Sequence, residues 1–136
     1  MATWIMPASV TLVCWGIWSF IPKITTRYIS PMSAMIYEAV GAAIMGLIVL
    51  AFVDFRPDIE IKGICLGILT GIVGLTGCLG FLFAVKSGKV SIVAMFTSLA
   101  PVITLVLSYF ILKEPLSLKE YLGILSSFTA IFLFTS

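Results

Sequence analysis

The stretch GICLGILTGIVGLTGCLGFLFAV, Gly63 to Val85, contains no charged side chain and is closed at its two ends by Lys62 and Lys86. A helix of about 20 residues crosses a hydrocarbon core roughly 30 Å thick, so this segment is long enough to span a bilayer. The charges outside it divide the rest of the chain in the same way. Further apolar segments run over 3–22, 32–53, 90–112 and 119–135. Between them lie a polar connection with Lys23, Arg27 and the helix-breaking Ser30-Pro31 pair, then a charged loop with Asp54, Arg56, Pro57, Asp58, Glu60 and Lys62. The links Lys86-Ser87-Gly88-Lys89 and Lys113-Glu114-Pro115-Leu116-Ser117 complete the division. Only helices satisfy their own backbone in lipid without a closed barrel, and these runs are too long and evenly apolar for barrel strands. The expected fold is an all-α integral membrane protein, a bundle of five transmembrane helices in one domain over 1–136, with short links that make consecutive helices antiparallel. The first segment lacks a positive leading region and an A-x-A cleavage site, and reads as a retained first span.

Composition agrees. The 136 residues are 61% hydrophobic and 10% charged, against about 25% charged in soluble domains. A net charge of +2 without a basic stripe gives no sign of a nucleic-acid binder, and none is expected as a partner. The chain has no His, Asn or Gln, which removes the commonest general base and metal ligand. Cys14, Cys65 and Cys78 sit singly in apolar stretches, with the burial habit of packing residues. No H-E-x-x-H motif and no nucleophile beside a base occurs. The expectation is a non-enzyme without metal or cofactor, whose partners are the bilayer, a small molecule and a second copy of itself.

Glu38 is the sharpest signal, because an ionisable group about six residues into a span, roughly 9 Å along the axis, is a functional-site candidate by default. Its neighbours Ala34, Gly41, Ala42 and Met45 leave room for a ligand. Such a carboxylate can exchange a proton for substrate, or it can pair with Lys23 or Arg27. Trp15, Trp18 and Phe20, with Tyr37, can line an aromatic pocket for an organic substrate or cation, or simply face lipid. Pro101 interrupts the fourth segment and should kink it. Thr97, Ser98 and Thr104 stand ready to satisfy the freed backbone or to touch substrate. In the third segment Gly63, Gly67, Gly71, Gly74 and Gly77 fall within an arc of roughly 120°, a face for tight helix packing or for the sliding surface of a transporter.

Several motifs occur in a telling order: Ala84 to Ser91 with Gly88, then Ser98-Leu99-Ala100-Pro101-Val102, then Lys113-Glu114-Pro115-Leu116, then Gly123. Together they resemble the second half of an EamA domain, and Trp15-Gly16 and Lys23 ahead of Ser30-Pro31 are similar to its beginning. The resemblance covers essentially the whole chain. It implies a drug/metabolite transporter, in which two oppositely oriented five-helix domains usually share one ten-helix chain and export or exchange small metabolites. This sequence has one such domain, and it has Glu38 where the family often has an Arg. The resemblance therefore implies a secondary transporter of the inner (plasma) membrane, acting as a dimer, with an acid suited to a cation or proton. A non-transporting assembly or regulatory subunit, bound through the glycine face, is the alternative.

The balance of positive charge bears on orientation. Lys23, Arg27, Lys86 and Lys89 lie on one side, and Arg56, Lys62, Lys113 and Lys119 on the other. Orientation follows from the difference between the two sides, and here there is none. The expectation is a dual-topology, antiparallel homodimer.

Overall fold

The computed structural model of the chain describes residues 3–113, 115 and 117–135. Among these residues the fold is entirely helical. Helix α1 spans Ile5–Tyr28, α2 Pro31–Phe52, α3 Ile61–Ser87, α4 Val90–Thr97, α5 Ala100–Leu107 and α6 Leu118–Thr135. A π-helical turn, Ser108–Leu112, extends α5. Four passes are long and apolar enough to cross a membrane: α1, α2, α3 and the composite pass Val90–Leu112. The fifth, α6, is the short one at 18 residues. Glu114 and Leu116, which carry part of the family resemblance, lie outside the described residues.

The described chain forms two compact units, Met1–Ser87 and Gly88–Ser136. In the first, α1, α2 and α3 all touch one another. Its buried residues are Pro22 on α1, Pro31 and Ala34 on α2, and Phe81, Leu82 and Val85 on α3. All lie where α1 ends, α2 begins and α3 ends, so the core of this unit sits at one end. Away from that end the side chains are open to lipid; Leu47 is 64% and Ile72 60% exposed.

Local chemistry sets the boundaries. Ser30 caps α2 by accepting from the Ser33 N–H at 3.2 Å, and Pro31 occupies the first helical position, where its missing N–H costs nothing. The far end of α2 closes with Asp54 in the left-handed region at φ 52°. Phe55 N–H reaches Leu50 C=O at 3.0 Å and Asp54 N–H reaches Ala51 C=O at 3.2 Å. This is a Schellman closure, with Asp tolerating the conformation that usually takes Gly. The sequence suggests a polar connection from Lys23 onward, but α1 runs on through Pro22 and Lys23 to Tyr28. The buried end of the unit holds the chain helical there.

The second unit contains the broken pass. Where the sequence leads one to expect a kink at Pro101, the α-helix stops at Thr97 and restarts at Ala100. Helix α6 begins with a reciprocal cap. Ser117 N–H donates to Glu120 Oε2 at 2.6 Å, and Glu120 N–H donates to Ser117 Oγ at 3.4 Å. This capping box is written in the sequence as S-x-x-E.

Candidate functional site

In the first unit Glu38 follows Pro31 by seven residues, about 10 Å along α2, and is half-buried. Cys78 on α3 lies within electrostatic reach of its carboxylate. One turn further along α3, Phe81 is 6% exposed and meets the Trp18 ring of α1, with centroids 5.2 Å apart and the planes tilted by 35°. The structure thus gathers Glu38, Cys78, Phe81 and Trp18 on adjoining helices, just inside the packed end. Among the described residues no ring contact joins Trp15 or Tyr37 to this pair, and the two are 71% and 67% exposed. Phe81 has no distinguishing mark in the sequence beyond closing the glycine run.

The basic residues do not pair with Glu38. Lys23 Nζ donates to Val85 C=O at 2.6 Å. That places its ammonium on a carbonyl of the last turns of α3, where a cation is favoured by the helix dipole. Arg27 is exposed in the last turn of α1. Among the described residues, therefore, no ion pair holds Glu38, and its carboxylate is available.

The glycine face of α3 is open in the chain by itself. A Cβ built at Gly67, Gly71, Gly74 or Gly77 meets nothing within 4 Å, and one at Gly63 meets only Glu60 Cβ at 4.0 Å.

In the second unit Ser98 and Pro101 line a groove of about 280 Å³ with Gly123, Ser127 and Glu120 of α6. Ser98, Pro101 and Gly123, three separate marks of the family resemblance, meet in this groove. The hydroxyls of Thr97, Ser98 and Thr104 all donate to carbonyls of their own pass: to Val93 at 3.0 Å, Met95 at 2.5 Å and Ala100 at 3.4 Å.

A multi-pass helical bundle with an uncompensated acid inside one pass and a broken helix in another has the makings of a solute carrier rather than an inert anchor. The chain belongs to the EamA-like transporter family, whose model matches residues 2–136. It is 30% identical over 124 residues to an uncharacterized protein of Methanocaldococcus jannaschii, covering 91% of this chain and 90% of that one. It is 29% identical over 105 residues to an uncharacterized transporter of Helicobacter pylori, covering 76% of this chain but only 35% of that one. A probable transport protein of Saccharomyces cerevisiae is 38% identical over 66 residues, 48% of this chain and 19% of its own. The chain thus spans about a third of the Helicobacter transporter and a fifth of the yeast protein. No solved structure matches it. The protein is a multi-pass membrane transporter by family.

Proposed function

We propose that the chain is one half of a secondary transporter that exports or exchanges small metabolites or drugs across the plasma membrane, working as a homodimer with Glu38 carrying the coupling proton. The observation that carries this reading is Glu38 itself: an acid well inside α2, half-buried, within electrostatic reach of Cys78, with no ion pair among the described residues. An acid at such depth is costly to keep, and an unpaired one has a use only if it gains and loses a charged partner. The Trp18 ring, backed by the buried Phe81 one turn of α3 from Cys78, supplies an aromatic surface in the same unit, suited to an organic or cationic substrate. Secondary transporters place their site near the midplane between two repeats, and a second copy of the chain supplies the second repeat. The two copies rock about the cavity they share. The open glycine face of α3 offers that copy a close backbone approach.

The equal count of four basic residues on either side favours insertion in both orientations, and so an antiparallel pair. Two C-terminal reporters, each active on one side of the membrane only, test this. Both should report. Activity of one alone, unmoved by an added Lys at either end, would mean a fixed orientation.

A second reading is a non-transporting subunit that uses the open α3 face to hold a different membrane protein. Proteoliposomes containing only the purified chain separate the two. Substrate-dependent proton movement within a broad metabolite panel is expected from a self-sufficient transporter. Silence across the panel, with movement restored by a co-purifying membrane protein, is the result expected of a subunit.

A further inference from the structure

The two ends of the first unit carry charge very differently. At the packed end α1 and α3 stop and α2 starts. Lys23 Nζ donates to Val85 C=O at 2.6 Å, which ties the last turns of α1 and α3 together. Arg27 follows Lys23 by one turn on the same face of α1, and Lys86 is the residue next to Val85. Three cations are thus gathered where two helices end. No acid stands among them. The acids of this unit are Glu38, seven residues past Pro31, and Asp54, Asp58 and Glu60, which lie beyond the far end of α2. That far end mixes its acids with Arg56 and Lys62.

Basic residues also stabilise helix C-termini, so the fold itself answers part of this charge. Each helix terminus is worth about half an elementary charge. Two C-termini and one N-terminus meet here, so roughly two and a half positive charges remain. Arg27 and Lys86 are exposed, and the remainder faces outward. Tyr28, beside Arg27, is 82% exposed and is an amphipathic ring of the kind that sits at headgroup level. Toward the membrane interior the same helix faces turn apolar. Ile24 and Phe20 precede Arg27 by one and two turns, Phe83 precedes Lys86 by one turn, and all three are exposed. Positive charge at headgroup level therefore stands directly above open apolar surface.

We propose that the packed end of the first unit is a binding site for an anionic phospholipid, with Arg27 and Lys86 on its phosphate and its acyl chains along Phe20, Ile24 and Phe83. A headgroup of net negative charge complements this end, whereas a zwitterionic one brings its own ammonium toward the same cations. The Arg27 guanidinium offers a planar fork of donors that matches phosphate, and Lys86 adds a compact charge. A free phosphate would use the cations and leave the apolar faces idle; a lipid uses both. The site goes beyond the transport reading and does not depend on it.

The experiment titrates the full chain in mild detergent with phosphatidylglycerol and with phosphatidylcholine of the same acyl chains, and reads bound lipid by native mass spectrometry. Phosphatidylglycerol should bind about tenfold or more tightly. Each Lys or Arg near an anionic surface is worth roughly a fivefold factor. Arg27→Gln combined with Lys86→Gln should therefore weaken phosphatidylglycerol binding up to about thirtyfold and erase the preference. Arg27→Lys combined with Lys86→Arg should keep it, and Arg56→Gln combined with Lys62→Gln at the far end should leave it unchanged. All four positions are exposed, and circular dichroism checks that each variant stays helical. Inorganic phosphate in large excess should not displace the lipid. The proposal is overturned if the two lipids bind alike, if the preference survives Arg27→Gln with Lys86→Gln, or if the far-end pair lowers it equally. Displacement by inorganic phosphate would overturn it too, because the cations would then hold a free anion.

Discussion

Pro22 and Pro101 sit in apolar passes of this chain well past the first turn, and the backbone treats them in opposite ways. Pro22 lies inside α1, which continues unbroken from Ile5 to Tyr28. Pro101 coincides with an interruption, and α4 and α5 are separate helices on either side of it. Chemically the two are equal, since each removes one donor and crowds the preceding turn at a cost of about 3 kcal/mol. The difference is packing. Pro22 is fully buried where α1, α2 and α3 converge. The turn after it is tied down by Thr26, whose hydroxyl donates to Pro22 C=O at 2.8 Å. Pro101 is exposed, and no residue of α4 or α5 is buried. Where neighbours hold the chain the helix absorbs the defect, and where none do it opens. One unit therefore has a firm end with an acid just inside it, and the other has a pass in which the α-helix stops at Thr97 and restarts at Ala100.

This contrast can be broken by substitution, most severely at the firm end. Leu82 is 0% exposed, and Leu82→Ala should cost about 2 kcal/mol or more, measured by reversible unfolding in mixed micelles. The cost falls toward the low end for such changes because in lipid the loss is one of packing rather than of hydration. Lys23→Met should cost about 1.5–3 kcal/mol by the same measurement, the range for a hydrogen bond to a charged group. An unchanged stability would mean that the Lys23–Val85 bond does not hold this end. Pro101→Ala should stabilise by about 1 kcal/mol or less, because it restores a helical bond with nothing buried to disturb. Hydrogen exchange should slow around Ser98 to Val102 in that variant, whereas Pro22→Ala should leave exchange in α1 nearly as it was. Equal responses at the two prolines would refute the packing explanation. Gly71→Leu should be the mildest for the single chain, since nothing lies within 4 Å of the new Cβ, yet it should lower the dimer content seen by cross-linking. Full dimer content in that variant would show that this face looks at lipid.

The run of apolar helical passes is written in the sequence because lipid imposes one rule along the whole chain, although α1 overruns the expected limit at Lys23 and continues to Tyr28. Charged links end each span, and Gly63 to Val85 is bounded by lysines just as α3 is bounded within a residue or two. Ser30-Pro31 spells its own cap. Lys113 to Ser117 reads in the sequence only as a link, and the reciprocal cap of Ser117 with Glu120 comes from the structure. What the sequence does not show is which of two like residues is held by its neighbours. Pro22 and Pro101 look alike in one dimension, and so do Trp15 and Trp18, of which only Trp18 meets an aromatic partner among the described residues. Glu38 could be picked out by depth alone. Its freedom from Lys23 could not, because the alternative acceptor, Val85 C=O, is 62 residues away along the chain.

Proton movement through Glu38 is the claim on which the account of function rests, and it is tested most directly by substrate-dependent proton flux into proteoliposomes, wild type against Glu38→Gln. Gln keeps the size and hydrogen bonding of the side chain but cannot titrate. The account predicts that Glu38→Gln reconstitutes as a folded protein, with coupled flux reduced to the level of empty vesicles. Coupled flux in Glu38→Gln equal to that of the wild-type chain would contradict it.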